Sequence, residues 1–122
     1  MTSILLMDDE EQFRSMLGES LSRAGYEVTE ARDGREGIRL YRDHPCDLIV
    51  TDLIMPEKEG LETIVEFRRI YPEVKIIAMS GGSRHGSVDY LKMAKLFGAQ
   101  QVLTKPFSRQ EILEVISNVL ES

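Results

Sequence analysis

Five times along the chain a short apolar run gives way to a stretch with helical spacing, and this alternation leaves few folds open. The apolar runs are SILLM at 3–7, EVTEA at 27–31, DLIVT at 47–51, VKIIAMS at 74–80 and QVLT at 101–104. Short runs rich in Val, Ile and Leu read as strands. The first, third and fourth are nearly continuous in apolar character, which suits strands covered on both faces of a parallel sheet. The second and fifth mix polar and apolar residues and are predicted to be edges.

Helical spacing fills the gaps. Phe13, Leu17, Leu21 and Ala24 fall on one helical face, and Gly25 is a suitable stop. Gly37, Ile38 and Tyr41 make a shorter face. Leu61, Ile64, Val65 and Phe67 predict a third helix, and Val88, Leu91, Ala94 and Phe97 a fourth that ends at Gly98. Ile112, Leu113, Ile116, Val119 and Leu120 predict a fifth, with Ser108 and Glu111 spaced as a capping box. Five βα units predict an α/β fold with an open, doubly wound parallel sheet, right-handed crossovers and helices on both faces. A chain of 122 residues suits one compact domain, expected to span 1–122 with no effector domain attached.

The net charge of −6 argues against a broad nucleic-acid or anionic-membrane surface, which needs clustered positive charge. The single cysteine, Cys46, cannot form an internal disulfide and fits a reducing, cytoplasmic setting. The stretch MTSILLMDDEE has neither the basic start nor the long apolar core expected of a signal peptide, and no apolar run in the sequence approaches the length of a membrane span. His44 and His85 read as solvated loop residues and Cys46 as a small, partly buried one.

In an open α/β sheet the site lies beyond the carboxyl ends of the strands. Asp8 and Asp9 follow the first strand and Asp52 the third. Ser80 ends the fourth, and Lys105 with Pro106 follows the fifth. Three carboxylates in a half-buried pocket repel one another unless a cation sits among them. Oxygen ligands alone suit Mg2+, and neither Cys nor His falls where a zinc site would need it. A carboxylate beside Mg2+, a hydroxyl and a lysine is also suited to phosphoryl transfer, with Asp52 the expected nucleophile. Glu10 and Glu11 are explained without chemistry, as acids favoured in the first turn of a helix.

The acid pair Asp8-Asp9, TDLIMPEKEG around Asp52, MSGG with Ser80, and KPF at 105–107 stand in order at the predicted strand ends. Over its whole length the chain resembles the receiver domain of bacterial two-component response regulators. The resemblance implies a flavodoxin-like (βα)5 fold with strand order 2-1-3-4-5. It implies that Asp52 takes a phosphoryl group from a phosphohistidine on a sensor histidine kinase or a histidine phosphotransfer protein. It implies Mg2+ bound by Asp9, Asp52 and the backbone carbonyl of Ile54, with Asp8 acting through water. Lys105 and Ser80 would meet the phosphoryl oxygens, and the Lys105–Pro106 bond would be cis. Phosphorylation would alter the face formed by the fourth helix, fifth strand and fifth helix, for an output partner the sequence does not name. Phe13, Met16 and Pro106 are the candidates for docking the kinase.

Two positions are distinctive. Val102 stands where the family usually carries Tyr or Phe, so no ring is expected to move with Ser80. Apolar Ile54 replaces a side chain that is polar in other members, and slow loss of the phosphoryl group is expected. The Gly-rich stretch SGGSRHGSVDY after Ser80 is a candidate part of the switch. Two other classes fit less well. An Mg2+-dependent phosphatase would place its nucleophile on the first strand with a second acid two residues on. A flavin module would need a phosphate loop where DDEEQ stands. The expected function is therefore a phospho-accepting switch without enzymatic turnover of its own.

Overall fold

The computed structural model describes residues 1–53, 60–81, 92 and 94–122. The strands are β1 (Ser3–Met7), β2 (Glu27–Ala31), β3 (Leu48–Asp52), β4 (Ile76–Ser80) and β5 (Gln101–Thr104). The helices are α1 (Glu11–Arg23), α2 (Gly34–Asp43), α3 (Gly60–Ile70) and α5 (Arg109–Glu121), with residues 92 and 94–97 forming the described part of α4. All strand pairs are parallel and the order is β2-β1-β3-β4-β5. The two polar-rich strands are the edges, as their sequences predict, while β3 and β4 are buried at every position.

Alternation along each strand sends successive side chains to opposite faces. One face carries Leu5, Met7, Ile49, Ile76 and Ala78 under α2, α3 and α4, which supply Tyr41, Ile64, Phe67 and Ala94. The other carries Ile4, Leu6, Val50, Ile77 and Met79 under α1 and α5, which supply Leu17, Leu21, Ile112 and Ile116. The sheet is thus doubly wound.

Local chemistry closes the elements. Ser108 Oγ accepts the Glu111 N–H at 3.0 Å and Glu111 Oε1 accepts the Ser108 N–H at 2.9 Å, which completes the predicted capping box. Asp33 caps α2 by accepting the Glu36 N–H at 2.9 Å. Gly25, at φ +101°, turns the chain after α1 in a backbone region that costs a side-chain-bearing residue free energy. Gly37 lets α2 lie directly on β1, since a Cβ there would collide with the Met7 sulfur.

Three expected core positions are corrected. Ala24 is exposed because it is the C-cap of α1, past the last buried turn. Val65 and Phe97 are 43% and 42% exposed. Ile64 and Phe67 fill the inward face of α3, and Ala94 that of α4, where a small residue lets the helix sit close. No helix among the described residues is long and apolar enough to cross a membrane.

Candidate functional site

The carboxyl ends of β1, β3, β4 and β5 bring the predicted residues to one rim. Asp8 directly follows β1 and is 1% exposed. Asp52 ends β3 and is 8% exposed, and Ser80 ends β4 and is buried. Lys105 follows β5, half-buried, and its backbone N–H donates to the Ser80 carbonyl at 2.8 Å. That bond extends the β4–β5 ladder by one step and anchors the lysine to the rim. Asp9 is exposed at the mouth.

Lys105 Nζ stands between the two buried acids, 2.8 Å from Asp8 Oδ2 and 3.3 Å from Asp52 Oδ1. It also lies 4.1 Å from the centroid of the Phe13 ring, a cation–π contact. Phe13 packs edge-on against Phe107, with centroids 6.1 Å apart. Asp8 Oδ1 accepts the Glu10 N–H at 2.9 Å. Both oxygens of Asp8 are therefore engaged, which leaves Asp9 and Asp52 the freer carboxylates.

The electrostatics are unbalanced. Burial pushes the Asp52 carboxyl from its ordinary 3.8 up to about 6. Lys105 works against that rise, and Asp8 and Asp9 add to it. Burial alone would lower the Lys105 ammonium, but the hydrogen bond to Asp8 and the charges of Asp52 and Asp8 outweigh it, so its pKa is raised. One ammonium does not neutralise three acids. Asp8, Asp9 and Asp52 each offer an oxygen, all within 4.8 Å of one another. This all-oxygen, partly exposed donor set fits a hard divalent cation such as Mg2+.

A sequence profile described as "Response regulator receiver domain" matches residues 4–117. The chain belongs to this family. Chemotaxis protein CheY of Thermotoga maritima is 34% identical over 118 residues, covering 95% of each chain. The DNA-binding transcriptional regulator NtrC of Azospirillum brasilense is 34% identical over 120 residues, covering 98% of this chain but 24% of that longer one. Among solved structures, a receiver domain protein from Clostridium thermocellum superposes with a TM-score of 0.92 at 29% identity, covering 99% of this chain and 95% of that one. The receiver domain of NtrX from Brucella abortus gives 0.91 at 27% identity, covering 98% of each.

Other predicted residues fall as follows in this receiver domain. Met16 is 64% exposed on α1, and Pro106 is exposed after a cis Lys105–Pro106 bond. Phe13 is half-buried over Lys105, so much of its ring already has a partner. Val102 is half-buried and packs against the α2/α3/α4 core. Glu10 is the N-cap of α1, and Glu11 lies in its first turn. Cys46 donates to the Leu48 carbonyl at 3.2 Å, and burial pushes its thiol up to about 11. Ile54, Met55, Pro56, His85, Val88, Leu91 and most of the Gly-rich stretch after Ser80 lie outside the described residues.

Sequence reasoning missed Arg14. It is 8% exposed, and its Nη1–H donates to the Asp8 carbonyl at 2.8 Å. The signal was there: Arg14, Leu17, Gly18 and Leu21 share one helical face, and a charge on a buried face needs a partner.

Proposed function

We propose that this receiver domain takes one phosphoryl group on Asp52 from the phosphohistidine of a sensor histidine kinase or histidine phosphotransfer protein. The observation that carries this reading is Lys105 Nζ held within 3.3 Å of Asp52 and 2.8 Å of Asp8 at the shared rim of four strands. An Asp52 carboxylate oxygen attacks phosphorus, forming the acyl phosphate as the P–N bond to the donor imidazole breaks. The bonding pair goes to the imidazole nitrogen, which takes a proton from solvent. Lys105 then exchanges its hold on the carboxylates for the phosphoryl oxygens, and Ser80 offers its hydroxyl to them. Phe13 keeps the ammonium from swinging into water.

Asp9 and Asp52, with the Ile54 carbonyl and Asp8 through water, are the groups that would hold Mg2+. The bound ion supplies positive charge to the phosphoryl oxygens. Asp8 has both oxygens engaged by Glu10 and Lys105, which supports its indirect role. The product is a modified protein, one phosphoryl group per copy, so the domain is a switch rather than a turning-over enzyme. Its output passes through α4, β5 and α5 to another protein, in the cytoplasm, with no nucleic acid or membrane bound by this domain.

Incubation with acetyl phosphate and Mg2+ tests the reading. Intact mass is expected to rise by one phosphoryl group in the native protein and not in Asp52→Asn. Labelling retained by Asp52→Asn overturns the acceptor assignment.

A further inference from the structure

Arg14 sits in the first turns of α1, and a buried guanidinium is tolerated only where its donors are used. Two are. Nη1–H donates to the Asp8 carbonyl at 2.8 Å, and Nε–H donates to Glu30 Oε1 at 3.0 Å. The Asp8 carbonyl belongs to the peptide that joins Asp8 to Asp9. Its orientation sets the direction in which Asp9 leaves the strand.

Asp8 itself is held from every side. Its N–H donates to the Ala31 carbonyl at 3.2 Å, and its carboxylate is held by Glu10 and Lys105. Asp9 differs: it is exposed, and among the described residues its side chain makes no hydrogen bond or ion pair. The least supported acid of the cluster therefore depends on its backbone for position, and Arg14 holds that backbone.

Glu30 holds Arg14 in turn. In the parallel register Glu30 lies beside Leu6, whose side chain faces α1 and α5. The carboxylate of Glu30 thus lies against α1. Gly18 leaves it room, since a Cβ there would stand 3.0 Å from Glu30 Oε2. A line of contacts runs from Gly18 on α1, through Glu30 on the edge strand, to Arg14 and the Asp8–Asp9 peptide.

We infer that Arg14, held by Glu30, is a positioning residue for the divalent-cation site: it fixes the Asp8–Asp9 peptide so that the Asp9 carboxylate meets those of Asp8 and Asp52. This rests on the reading of the three acids as a Mg2+ site. A purely structural arginine would lower stability when replaced and leave cation affinity unchanged in the molecules that fold.

The test is a Mg2+ titration followed by amide NMR shifts, with amide exchange at Asp9 and Glu10 in metal-free protein. Replacement of outer-sphere partners of metal ligands weakens binding about 10–100-fold. Arg14→Met is expected at about the tenfold end of that range, with faster exchange at Asp9. Arg14→Lys keeps the charge but not the two-point fork, and is expected to restore less than half of the loss in log affinity. Glu30→Ala is expected to weaken Mg2+ about threefold, a fraction of the same effect. If Arg14→Met does not fold, Arg14→Lys and Glu30→Ala carry the same test. Folded variants with native Mg2+ affinity and native Asp9 exchange overturn the inference. A native protein whose Asp9 and Asp52 amides ignore Mg2+ removes the metal reading itself, and the inference with it.

Discussion

At the amino ends of the strands, polar side chains close off backbone. Asp47 accepts the Ser3 N–H at 2.9 Å and its hydroxyl at 3.2 Å, which ties β1 to the start of β3. Lys75 Nζ donates to the Leu120 and Ser122 carbonyls at 3.0 and 3.1 Å and so caps the end of α5. At the carboxyl ends, Asp8, Asp52 and Lys105 turn toward one another instead, and among the described residues the clustered acids outnumber the lysine. A groove of about 910 Å³ lies at the amino end, lined by Tyr41, Cys46, Asp47, Tyr71, Pro72 and Lys75 among others. This groove has volume without surplus charge. The groove's Asp47 and Lys75 are already committed to backbone groups, whereas the rim opposite keeps surplus negative charge. Unrelieved charge, rather than this groove, marks the functional end.

The comparison breaks most readily at Asp52. The folded state binds the Asp52 proton more tightly than the unfolded chain, because burial raises the pKa from 3.8 to about 6. Metal-free stability therefore falls as pH rises from about 4 to about 6, and the full deficit is present at pH 7. Two pK units correspond to about 3 kcal/mol as an upper bound. Asp52→Asn removes the charge and is expected to raise metal-free stability by about 1–3 kcal/mol at pH 7. The gain is expected to vanish near pH 3. Urea melts at the two pH values check this, and a variant no more stable than the native protein at pH 7 would falsify the electrostatic account. The same substitution is expected to abolish phosphoryl labelling, so function is lost while stability rises.

Asp47→Ala is the mirror experiment. It removes two hydrogen bonds at the other end, one of them to backbone, and is expected to cost about 1 kcal/mol. Mg2+ affinity and phosphoryl labelling should stay as in the native protein. A labelling defect in folded Asp47→Ala would show that the two ends are coupled.

Much of this contrast was legible in the sequence. The strands are short apolar runs, and the topology rule for open α/β sheets carried Asp8, Asp52, Ser80 and Lys105 to one rim. What escaped was tertiary. Glu30 reaches Arg14 because β2 pairs with β1 in one register, which a run of mixed residues such as EVTEA does not reveal. Phe13 was read as a surface for partners, yet its ring covers Lys105, a residue 92 positions later in the chain. Helical period placed Phe97 with Ala94, but the tight approach of α4 fills the inward side with the smaller residue.

Phe13 gives the next effect in size. A cation–π contact at a partly exposed site contributes about 0.5–1 kcal/mol, and more where water is excluded. Phe13→Leu keeps most of the apolar bulk against Phe107 but loses the electron-rich ring face beneath the ammonium. If Lys105 needs that contact in the transition state, labelling by acetyl phosphate should slow by about two- to fivefold. Stability should change by less than about 1 kcal/mol, as for volume-conserving swaps. A native labelling rate in Phe13→Leu would reduce the ring to packing and restore Phe13 as a free docking residue. The rim would then hold its ammonium with acids alone.

The smallest expected effect on function is at Cys46, and it sharpens the comparison from the quiet end. The thiol is half-buried, donates to the Leu48 carbonyl, and is pushed by burial from 9 to about 11. Only the thiolate reacts, so a rise of about two units lowers the reactive fraction at pH 8 about a hundredfold. Burial here disfavours charge just as at Asp52, but the outcome differs. The thiol stays neutral at physiological pH, the neighbouring Asp47 charge adding to the effect of burial, whereas Asp52 ionises among other acids and needs a counterion. Cys46 is therefore expected to react with a disulfide reagent about a hundredfold more slowly in folded protein than in urea. Cys46→Ala should cost less than about 1.5 kcal/mol and leave Mg2+ affinity and labelling unchanged. Fast reaction in the folded state would mean that a thiolate forms at the amino end, and the groove beside it would then hold chemistry of its own.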